Sequence, residues 1–367
     1  MRALVPDETD EPSGARSSRG LAALSMREPP CTHFAFAREV RGADMLRHRM
    51  GSARAIVVGA GVSGLSSAIR LLERGVAVEL WTRELPSRTT SAVAGAIWYP
   101  YKVAPRERVA GWARATYAAL VPLAKDAASG VAMCRGVELL PRGLSDEAAE
   151  FRSAAGDVRA LHPELLPDGF DRGFELSVPV VEMPLYLEWL MARFRALGGE
   201  LVVRALDSLA PALDAAPLVV HCAGLGAREL VGDRELRAIR GQLVRVERGA
   251  VERFTLDDYD PRGVTYVIPR SQDCILGGSA DDGREDLIPS EATTTAILER
   301  CAALEPRLAQ ARVLSVSVGL RPARSAVRLE RESPRPGSIL IHNYGHGGAG
   351  VTLSWGCAAE VAALSGC

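Results

Sequence analysis

A glycine-rich stretch near the beginning of the chain is the feature that most constrains its fold. The apolar run 55–58 leads into Gly59, Gly61 and Gly64, spaced Gly-x-Gly-x-x-Gly, and a helical pattern follows. A short run rich in β-branched residues predicts a buried parallel strand. The first glycine of this motif allows a tight turn, the second lets a pyrophosphate approach the backbone, and the third lets the helix pack against the strand. The stretch therefore predicts a dinucleotide site at a helix N-terminus.

Length and composition exclude several classes of protein. The 367 residues suffice for two domains or for one large α/β body with an inserted lobe. The net charge of -1 suggests neither nucleic acid nor an anionic membrane surface as a partner, and no apolar run reaches the roughly 18 residues that span a bilayer. The seven cysteines are scattered and form no Cys-x-x-Cys pair, so neither a metal site nor a disulfide framework is predicted. A cytoplasmic location is expected.

Residues 1–52 differ from the rest of the chain. They are rich in Pro, Ser, Arg and Glu, show no sustained periodicity and precede the first core strand. They contain no apolar segment typical of a secretory signal, and four acidic residues between positions 7 and 11 disfavour a transit peptide. We expect a disordered extension, with Met50 standing where such a protein would normally begin.

Two kinds of pattern follow the glycine motif. In the first part, helices are predicted at 65–74, 107–125, 146–160 and 185–197, and strands at 76–81, 174–181, 201–204 and 217–222. From Arg240 onward the pattern changes to short alternating strands at 241–246, 263–270 and 274–278, then a helix at 290–307 capped by Ser290 and a strand at 313–318. The short strands predict a mostly antiparallel second lobe.

Candidate cofactor contacts follow the predicted strands. A dinucleotide site uses an acid after the second strand for the ribose hydroxyls, and Glu84 lies 20 residues beyond Gly64, close to the usual spacing. Arg83 beside it would instead favour a phosphate, so neither residue fits the simple NAD pattern. The hydroxyl and small residues at 89–97 can contact phosphate and a flat cofactor; the alternative is a surface loop of turn-forming residues. Ala223 and Gly224 end a strand in a way that allows close approach of a cofactor.

Four separated motifs resemble signatures of the D-amino-acid oxidase family. The run 342–358, His-Asn-Tyr-Gly-His-Gly-Gly-Ala-Gly-Val-Thr-Leu-Ser-Trp-Gly-Cys-Ala, is similar to one signature. The runs 319–332, 94–101 and 266–269 are similar to three others, and all four occur in the family's order. The resemblance implies non-covalently bound FAD and oxidative deamination of a D-amino acid. The products would be an imino acid, which hydrolyses to a 2-oxo acid and ammonia, and hydrogen peroxide from O2.

The resemblance implies an α/β fold in which a Rossmann-like FAD-binding domain is interleaved with a mostly antiparallel β-sheet substrate domain. The FAD-binding domain would span 53–180, be completed by 331–367, and include the segment 201–232. The substrate domain would otherwise occupy 181–330. The implied partners are a small D-amino acid and O2, with no nucleic acid and no membrane, and a homodimer is left open.

The resemblance also assigns roles to residues in the substrate site. Arg321 would bind the substrate carboxylate with its planar fork, and Tyr266 would donate to the same carboxylate. The carbonyl of Gly348 would accept from the substrate amino group. No protein base is expected, because the amine loses its proton and the α-hydride passes to flavin N5; His342 and His346 are therefore interpreted as structural hydrogen-bonding groups.

The FAD contacts follow the same matches. Backbone N–H groups of the loop 345–350 and the hydroxyl of Thr352 would meet the N1–C2=O region of the flavin. The full predicted set is Gly59, Ala60, Gly61, Val62, Ser63, Gly64, Arg83, Glu84, Thr89, Thr90, Ser91, Gly95, Ala96, Ile97, Leu206, Ala223, Gly224, Gly345, Gly347, Gly348, Gly350, Val351 and Thr352.

Two departures from the family pattern leave alternatives open. Arg262 stands where vertebrate members carry a second tyrosine, and it would favour an acidic substrate, as in a D-aspartate oxidase. Tyr99 replaces a glutamine typical of its motif. A glycine or sarcosine-type amine oxidase of the same fold is a further alternative. A NAD-dependent dehydrogenase is disfavoured by the loop at 342–358, and a non-catalytic FAD-binding protein by the presence of both Arg321 and Tyr266.

Overall fold

The computed structural model describes residues 53–143, 146 and 148–367, and the predicted extension 1–52 lies outside them. The described helices are α1 Val62–Leu72, α2 Arg106–Leu123, α3 Ala149–Arg152, α4 Met183–Ala196, α5 Ala210–Ala215, α6 Ala227–Val231, α7 Glu291–Leu304 and α8 Gly350–Leu364. The described strands are β1 Arg54–Val58, β2 Ala77–Thr82, β3 Val131–Pro141, β4 Arg159–Ala160, β5 Phe170–Val181, β6 Glu200–Val203, β7 Leu218–His221, β8 Arg237–Glu247, β9 Phe254–Asp257, β10 Thr265–Pro269, β11 Asp273–Gly277, β12 Asp281–Asp282, β13 Val313–Glu332 and β14 Ile339–His346.

The strands join one sheet whose two halves differ in strand direction. Strands β14, β7, β1, β2 and β6 lie side by side in that order and pair in parallel. Beyond β14 the sheet continues through β13, β8, β11, β10 and β9 by antiparallel pairing. Strand β9 then pairs with β3 in parallel, and β5 and β4 complete this half. The predicted α/β fold with a mostly antiparallel second part is confirmed.

Helices α1 and α8 cover the parallel half. Helix α1 buries Val62, Leu65 and Ile69 against the sheet, and α8 is buried on most of its surface. A Cβ atom at Gly64 would overlap the carbonyl oxygen of Gly59, so only glycine lets α1 pack this close to the turn after β1. The predicted packing role of the third glycine in the motif therefore has a direct steric reason.

The helix predicted over 146–160 is wrong. Among the described residues of this range, only Ala149–Arg152 is α-helical, a 3-10 turn follows, and Gly156 adopts a left-handed φ of +78°. The Arg152 side chain, only 5% exposed, bonds Glu138 on β3 at 2.6 Å between Nη1 and Oε2. The short helix therefore serves to bring a cation to a buried carboxylate, a tertiary relationship that hydrophobic periodicity does not contain.

Two other segments show how the second part is built. The helix predicted at 290–307 is confirmed as α7, and the Ser290 hydroxyl accepts from the Thr293 N–H at 3.3 Å, as a capping residue should. The strand predicted at 313–318 runs on to Glu332 and links the antiparallel half, through β8, to the parallel half, through β14. Strands β3 and β5 precede residue 182 but lie in the antiparallel half. The predicted domain boundaries stay a prediction.

Candidate active site

A cleft of about 750 Å³ runs from the parallel strands into the antiparallel half. It begins where β1, β2 and β7 end, the edge of a parallel sheet at which cofactors bind. Its volume lies within the range of roughly 300–1,000 Å³ that is typical of cofactor and ligand sites. Every predicted FAD contact lines it except Gly64, which packs under the glycine turn, and Gly345, which lies against Arg324.

The glycine turn and the N-terminus of α1 form one end of the cleft. Gly59 has a φ of +106°, and a Cβ atom there would lie 2.5 Å from the Cys222 carbonyl oxygen. At Gly61 the space is open except for the Ser91 hydroxyl. The Ser91 oxygen accepts from the Val62 N–H at 3.0 Å, which leaves the hydroxyl proton free to donate to a phosphate. These groups fit the pyrophosphate of a dinucleotide.

The residues expected to face the ribose lie at the rim of the cleft. Arg83 and Glu84 are exposed, and the Thr82 hydroxyl donates to the Glu84 carbonyl oxygen at 2.7 Å, which fixes the turn after β2. A cation missed by the sequence analysis, Arg204, also lines the cleft with its guanidinium 4.5 Å from the centroid of the Trp81 ring. Arg204 follows β6, the strand paired with β2, and that adjacency could not be known without the sheet order.

Helix α8 points its N-terminus into the middle of the cleft. It begins at Gly350, directly after the glycine loop, so its free N–H groups carry a partial positive charge there. The Thr352 hydroxyl behaves differently from the expectation: it donates to the Tyr99 carbonyl oxygen at 2.9 Å and accepts from the Tyr99 N–H at 3.1 Å. A hydroxyl has one proton, so this geometry ties α8 to the Tyr99 backbone and offers no proton to a flavin.

Arg321 and Tyr266 lie together at the other end of the cleft. Nη1 of Arg321 donates to the Ser279 carbonyl oxygen at 3.0 Å, and its guanidinium carbon is 5.6 Å from the centroid of the Tyr101 ring. Burial raises the pKa of the Tyr266 hydroxyl, and the positive charge of Arg321 opposes that rise. Gly348 lies close to Tyr101, because a Cβ atom there would overlap the ring. The three predicted substrate-binding residues therefore line one region of the cleft.

Two strand glycines make room for these side chains. Arg321 pairs with Ile239 across β13 and β8, so Gly241 is its diagonal neighbour, and a Cβ atom at Gly241 would overlap the guanidinium. Tyr266 pairs with Gly277 across β10 and β11, and a Cβ atom there would overlap the phenol ring. The sequence analysis missed both glycines; the signal was a glycine inside a strand, which often marks a close approach.

Tyr99 belongs to a buried polar chain behind the cleft. Its hydroxyl donates to Oε1 of Glu138 at 2.9 Å, while the other carboxylate oxygen of Glu138 bonds Arg152. Burial raises the pKa of Glu138, and the Arg152 cation opposes the rise. The position that is glutamine in the resembled motif is thus a tyrosine anchored to a carboxylate.

The two histidines near the C-terminus hydrogen-bond within the protein. Nε2 of His346 lies 3.0 Å from Oδ1 of Asn343, and burial lowers the pKa of His346 to about 4. Nδ1 of His342 lies 3.2 Å from Nδ1 of His221, and burial lowers the pKa of both rings. These contacts accord with the interpretation that the rings are structural rather than basic.

Arg262 does not line the cleft. Its side chain is 69% exposed and is bound to Asp260, with Nη2 at 2.6 Å from Oδ2 and Nε at 2.9 Å from Oδ1. The expectation that Arg262 would favour an acidic substrate is therefore not supported by its position. Asp260, two positions earlier in the chain, binds this guanidinium and so competes with a substrate carboxylate for it. Comparison of the motifs could not show this ion pair.

The described residues offer neither a metal site nor a membrane-spanning helix. They contain no group of His, Cys, Asp and Glu side chains placed to hold a metal ion. Within the same residues, no helix is long and apolar enough to cross a membrane.

One cleft holds a glycine turn on a parallel sheet, two helix N-termini and, at its far end, the pair Arg321 and Tyr266. These features define a dinucleotide-binding enzyme. The chain belongs to the DAO family of FAD-dependent oxidoreductases, since the family model described as "FAD dependent oxidoreductase" matches residues 54–364. The alternative of a NAD-dependent dehydrogenase is therefore wrong.

Relatives and solved structures agree with the family. The chain is 52% identical over 314 residues to a D-amino-acid oxidase of Rubrobacter xylanophilus, covering 86% of this chain and 96% of the relative. It is 45% identical over 312 residues to a D-amino-acid oxidase of Streptomyces coelicolor, covering 84% and 96%. A glycine oxidase structure from Geobacillus kaustophilus superposes with a TM-score of 0.69 at 20% identity, covering 85% and 95%, and so shares the fold.

Proposed function

We propose that this enzyme oxidises D-amino acids to imino acids, which hydrolyse to 2-oxo acids and ammonia, while O2 is reduced to hydrogen peroxide. The observation that carries the proposal is the pairing of Arg321 with Tyr266 at the end of the cleft, in a chain 52% identical to a D-amino-acid oxidase. An amino acid presents a carboxylate of the size and charge that such a pair binds.

Arg321 and Tyr266 hold the substrate carboxylate. Nη1 of Arg321 donates a hydrogen bond to the Ser279 carbonyl oxygen, which fixes the plane of the guanidinium. The remaining N–H groups are left for two carboxylate oxygens. The raised pKa of Tyr266 keeps its hydroxyl protonated at neutral pH, so it acts as a donor. The side chains of Arg321 and Tyr266 pack directly against the backbone of Gly241 and Gly277. The two donors are therefore held in place before substrate binds.

The Gly348 carbonyl orients the amino group. Gly348 is exposed to the cleft, and a side chain there would collide with Tyr101, so a backbone acceptor is the group that fits. When the carboxylate and the amine are both fixed, the Cα–H bond of a given enantiomer is held in a single orientation. When bound, FAD would supply the oxidising chemistry as a hydride acceptor, and the glycine turn, Ser91 and the N-terminus of α8 would hold it in the cleft.

The rest of the substrate end favours a side chain that is neutral. Leu256, Ile268 and Ile97 line it, and Arg262 lies outside. A D-aspartate oxidase would need a second cation near the end of the substrate. The substrates of a glycine or sarcosine oxidase have no side chain on Cα that these apolar residues could contact. Neutral D-amino acids are therefore the preferred class.

An anaerobic titration of the FAD-loaded enzyme tests this function. We expect D-alanine to bleach the long-wavelength absorbance of the flavin, while L-alanine leaves it unchanged. Bleaching by D-aspartate or glycine but not by D-alanine would overturn the proposal and leave the family assignment intact. The cytoplasmic location and a homodimer stay predictions, the second testable by light scattering of the purified enzyme.

A further inference from the structure

One carboxyl group at the substrate end has no role so far. Asp258 follows β9 directly and lines the cleft together with Leu256, which pairs with Tyr266 across β9 and β10. Asp257, between them, does not line the cleft, as expected for side chains that alternate along an extended chain. The side chains of Asp258 and Leu256 therefore lie on the same side of the backbone, the side that faces the cleft.

Neighbouring carboxylates are paired, but one oxygen of Asp258 is not. Oδ1 of Asp257 accepts from the Tyr259 N–H at 3.1 Å, Oε2 of Glu138 bonds Arg152 at 2.6 Å, and Asp260 is bound by Arg262. Oδ1 of Asp258 is buried and has no hydrogen-bond partner among the described residues. A buried carboxylate oxygen without a donor is unfavourable, so the charged form of Asp258 is disfavoured.

The surroundings of Asp258 bring the pKa of its carboxyl group close to neutral pH. Burial raises the pKa of Asp258 to about 7, and the carboxylates of Glu138 and Asp257 add to that rise. The cations of Lys102 and Arg321 oppose it. The carboxyl therefore changes from mostly neutral to mostly ionised as pH rises through the neutral range.

We propose that Asp258 determines selectivity for the charge of the substrate side chain, excluding anionic D-amino acids and favouring those with a hydrogen-bond donor. The proposal rests on the proposed function, in which Arg321 holds the α-carboxylate. A second carboxylate on the substrate would meet the carboxyl of Asp258 without a cation of its own, because Arg321 binds the α-carboxylate and Arg262 is held by Asp260. The charge of Lys102 reaches Asp258, but Lys102 does not line the cleft. An amide in the place of the second carboxylate would offer N–H groups to Asp258.

Isosteric ligands with and without the charge test the proposal. The FAD-loaded wild type and Asp258→Asn are compared for kcat/KM on D-asparagine against D-aspartate. Binding of succinamate against succinate is measured in parallel by the change in flavin absorbance, which needs no turnover. Asp257→Asn is the matched control, because it removes the adjacent carboxylate outside the cleft and keeps the acceptor oxygen for Tyr259.

We expect the wild type to prefer the amide of each pair at pH 8, and Asp258→Asn to reduce both preferences by at least about tenfold. Asp257→Asn should keep both preferences within about threefold of the wild type. Equal preferences in wild type and Asp258→Asn would overturn the proposal while leaving D-amino-acid oxidation intact. Loss of the succinamate preference in Asp258→Asn, in an enzyme that oxidises no D-amino acid, would support the charge selectivity and refute the proposed function.

Discussion

The guanidinium of Arg321 lies directly over the backbone of Gly241, on the neighbouring strand, in space that a Cβ atom would occupy. Gly241→Ala should therefore displace the guanidinium without removing its charge. We expect kcat/KM for D-alanine to fall at least about tenfold while FAD content is kept, since small misplacements of a positioning group reduce catalysis strongly. Gly111→Ala is the control, because a Cβ atom at that glycine of α2 has no neighbour within 4 Å. Unchanged kcat/KM in Gly241→Ala would contradict the carboxylate-binding role of Arg321.

Removing Arg321 should abolish most recognition of the substrate carboxylate. Arg321→Ala should lower kcat/KM by the equivalent of roughly 2–5 kcal/mol, the usual cost of truncating one partner of a buried charge pair. Arg321→Lys should recover little, since an ammonium cannot reproduce the bidentate fork. Steady-state kinetics with saturating FAD measure both variants. Arg331→Ala, an exposed change on the same strand, should leave kcat/KM unchanged.

The Ser91 hydroxyl should contribute to FAD affinity. It accepts from the Val62 N–H at the start of α1 and faces the open space beside Gly61. Ser91→Ala leaves that N–H without its partner and removes a donor to phosphate, so the Kd for FAD should rise by about tenfold, or about 1.4 kcal/mol. Quenching of flavin fluorescence during titration of the apoprotein measures the Kd. A variant with the wild-type Kd would place the pyrophosphate elsewhere.

Selectivity against anionic substrates should depend on pH. The pKa of Asp258 is raised to about 7 by burial, so the carboxyl is neutral at low pH and ionised at high pH. D-aspartate keeps an ionised side chain across this range, so repulsion grows as pH rises through 7. The ratio of kcat/KM for D-asparagine over D-aspartate should therefore increase between about pH 5.5 and 8.5, and the increase should be absent in Asp258→Asn. A ratio independent of pH in the wild type would assign the selectivity to another group.

Stability should decrease on mild acidification because of the buried histidines. Burial lowers the pKa of His346 to about 4 and of His221 to about 3, whereas both titrate near 6.5 when unfolded. The unfolded chain therefore binds protons that the folded chain excludes. The stabilisation is fully present above pH 6.5 and is lost as pH falls toward 4 and 3, at up to roughly 1.4 kcal/mol per pH unit for each ring. Thermal unfolding between about pH 7 and 5 measures the slope, and His346→Gln should reduce it.

Local signals were sufficient for much of the fold. The apolar run before Gly59, the glycine spacing and the alternating strands after Arg240 follow from backbone sterics and strand periodicity, which act over a few residues. The helix predicted at 146–160 failed because its end is decided by Gly156 and by the pairing of Arg152 with Glu138. The expectation for Arg262 failed for a similar reason, since Asp260 holds its guanidinium.

The sequence by itself determined the dinucleotide site, the FAD family through its ordered motifs, and the identity of Arg321 and Tyr266 as candidate substrate ligands. Only the tertiary structure decided that Gly241 and Gly277 lie under those side chains and that Asp258 lines the cleft. It also decided that the Thr352 hydroxyl donates its hydrogen bond to the Tyr99 carbonyl oxygen. Motif residues are set by neighbours in the chain, whereas these contacts join strands and loops far apart in sequence. Which of them meet depends on strand order and register, and these are fixed by packing of the whole sheet.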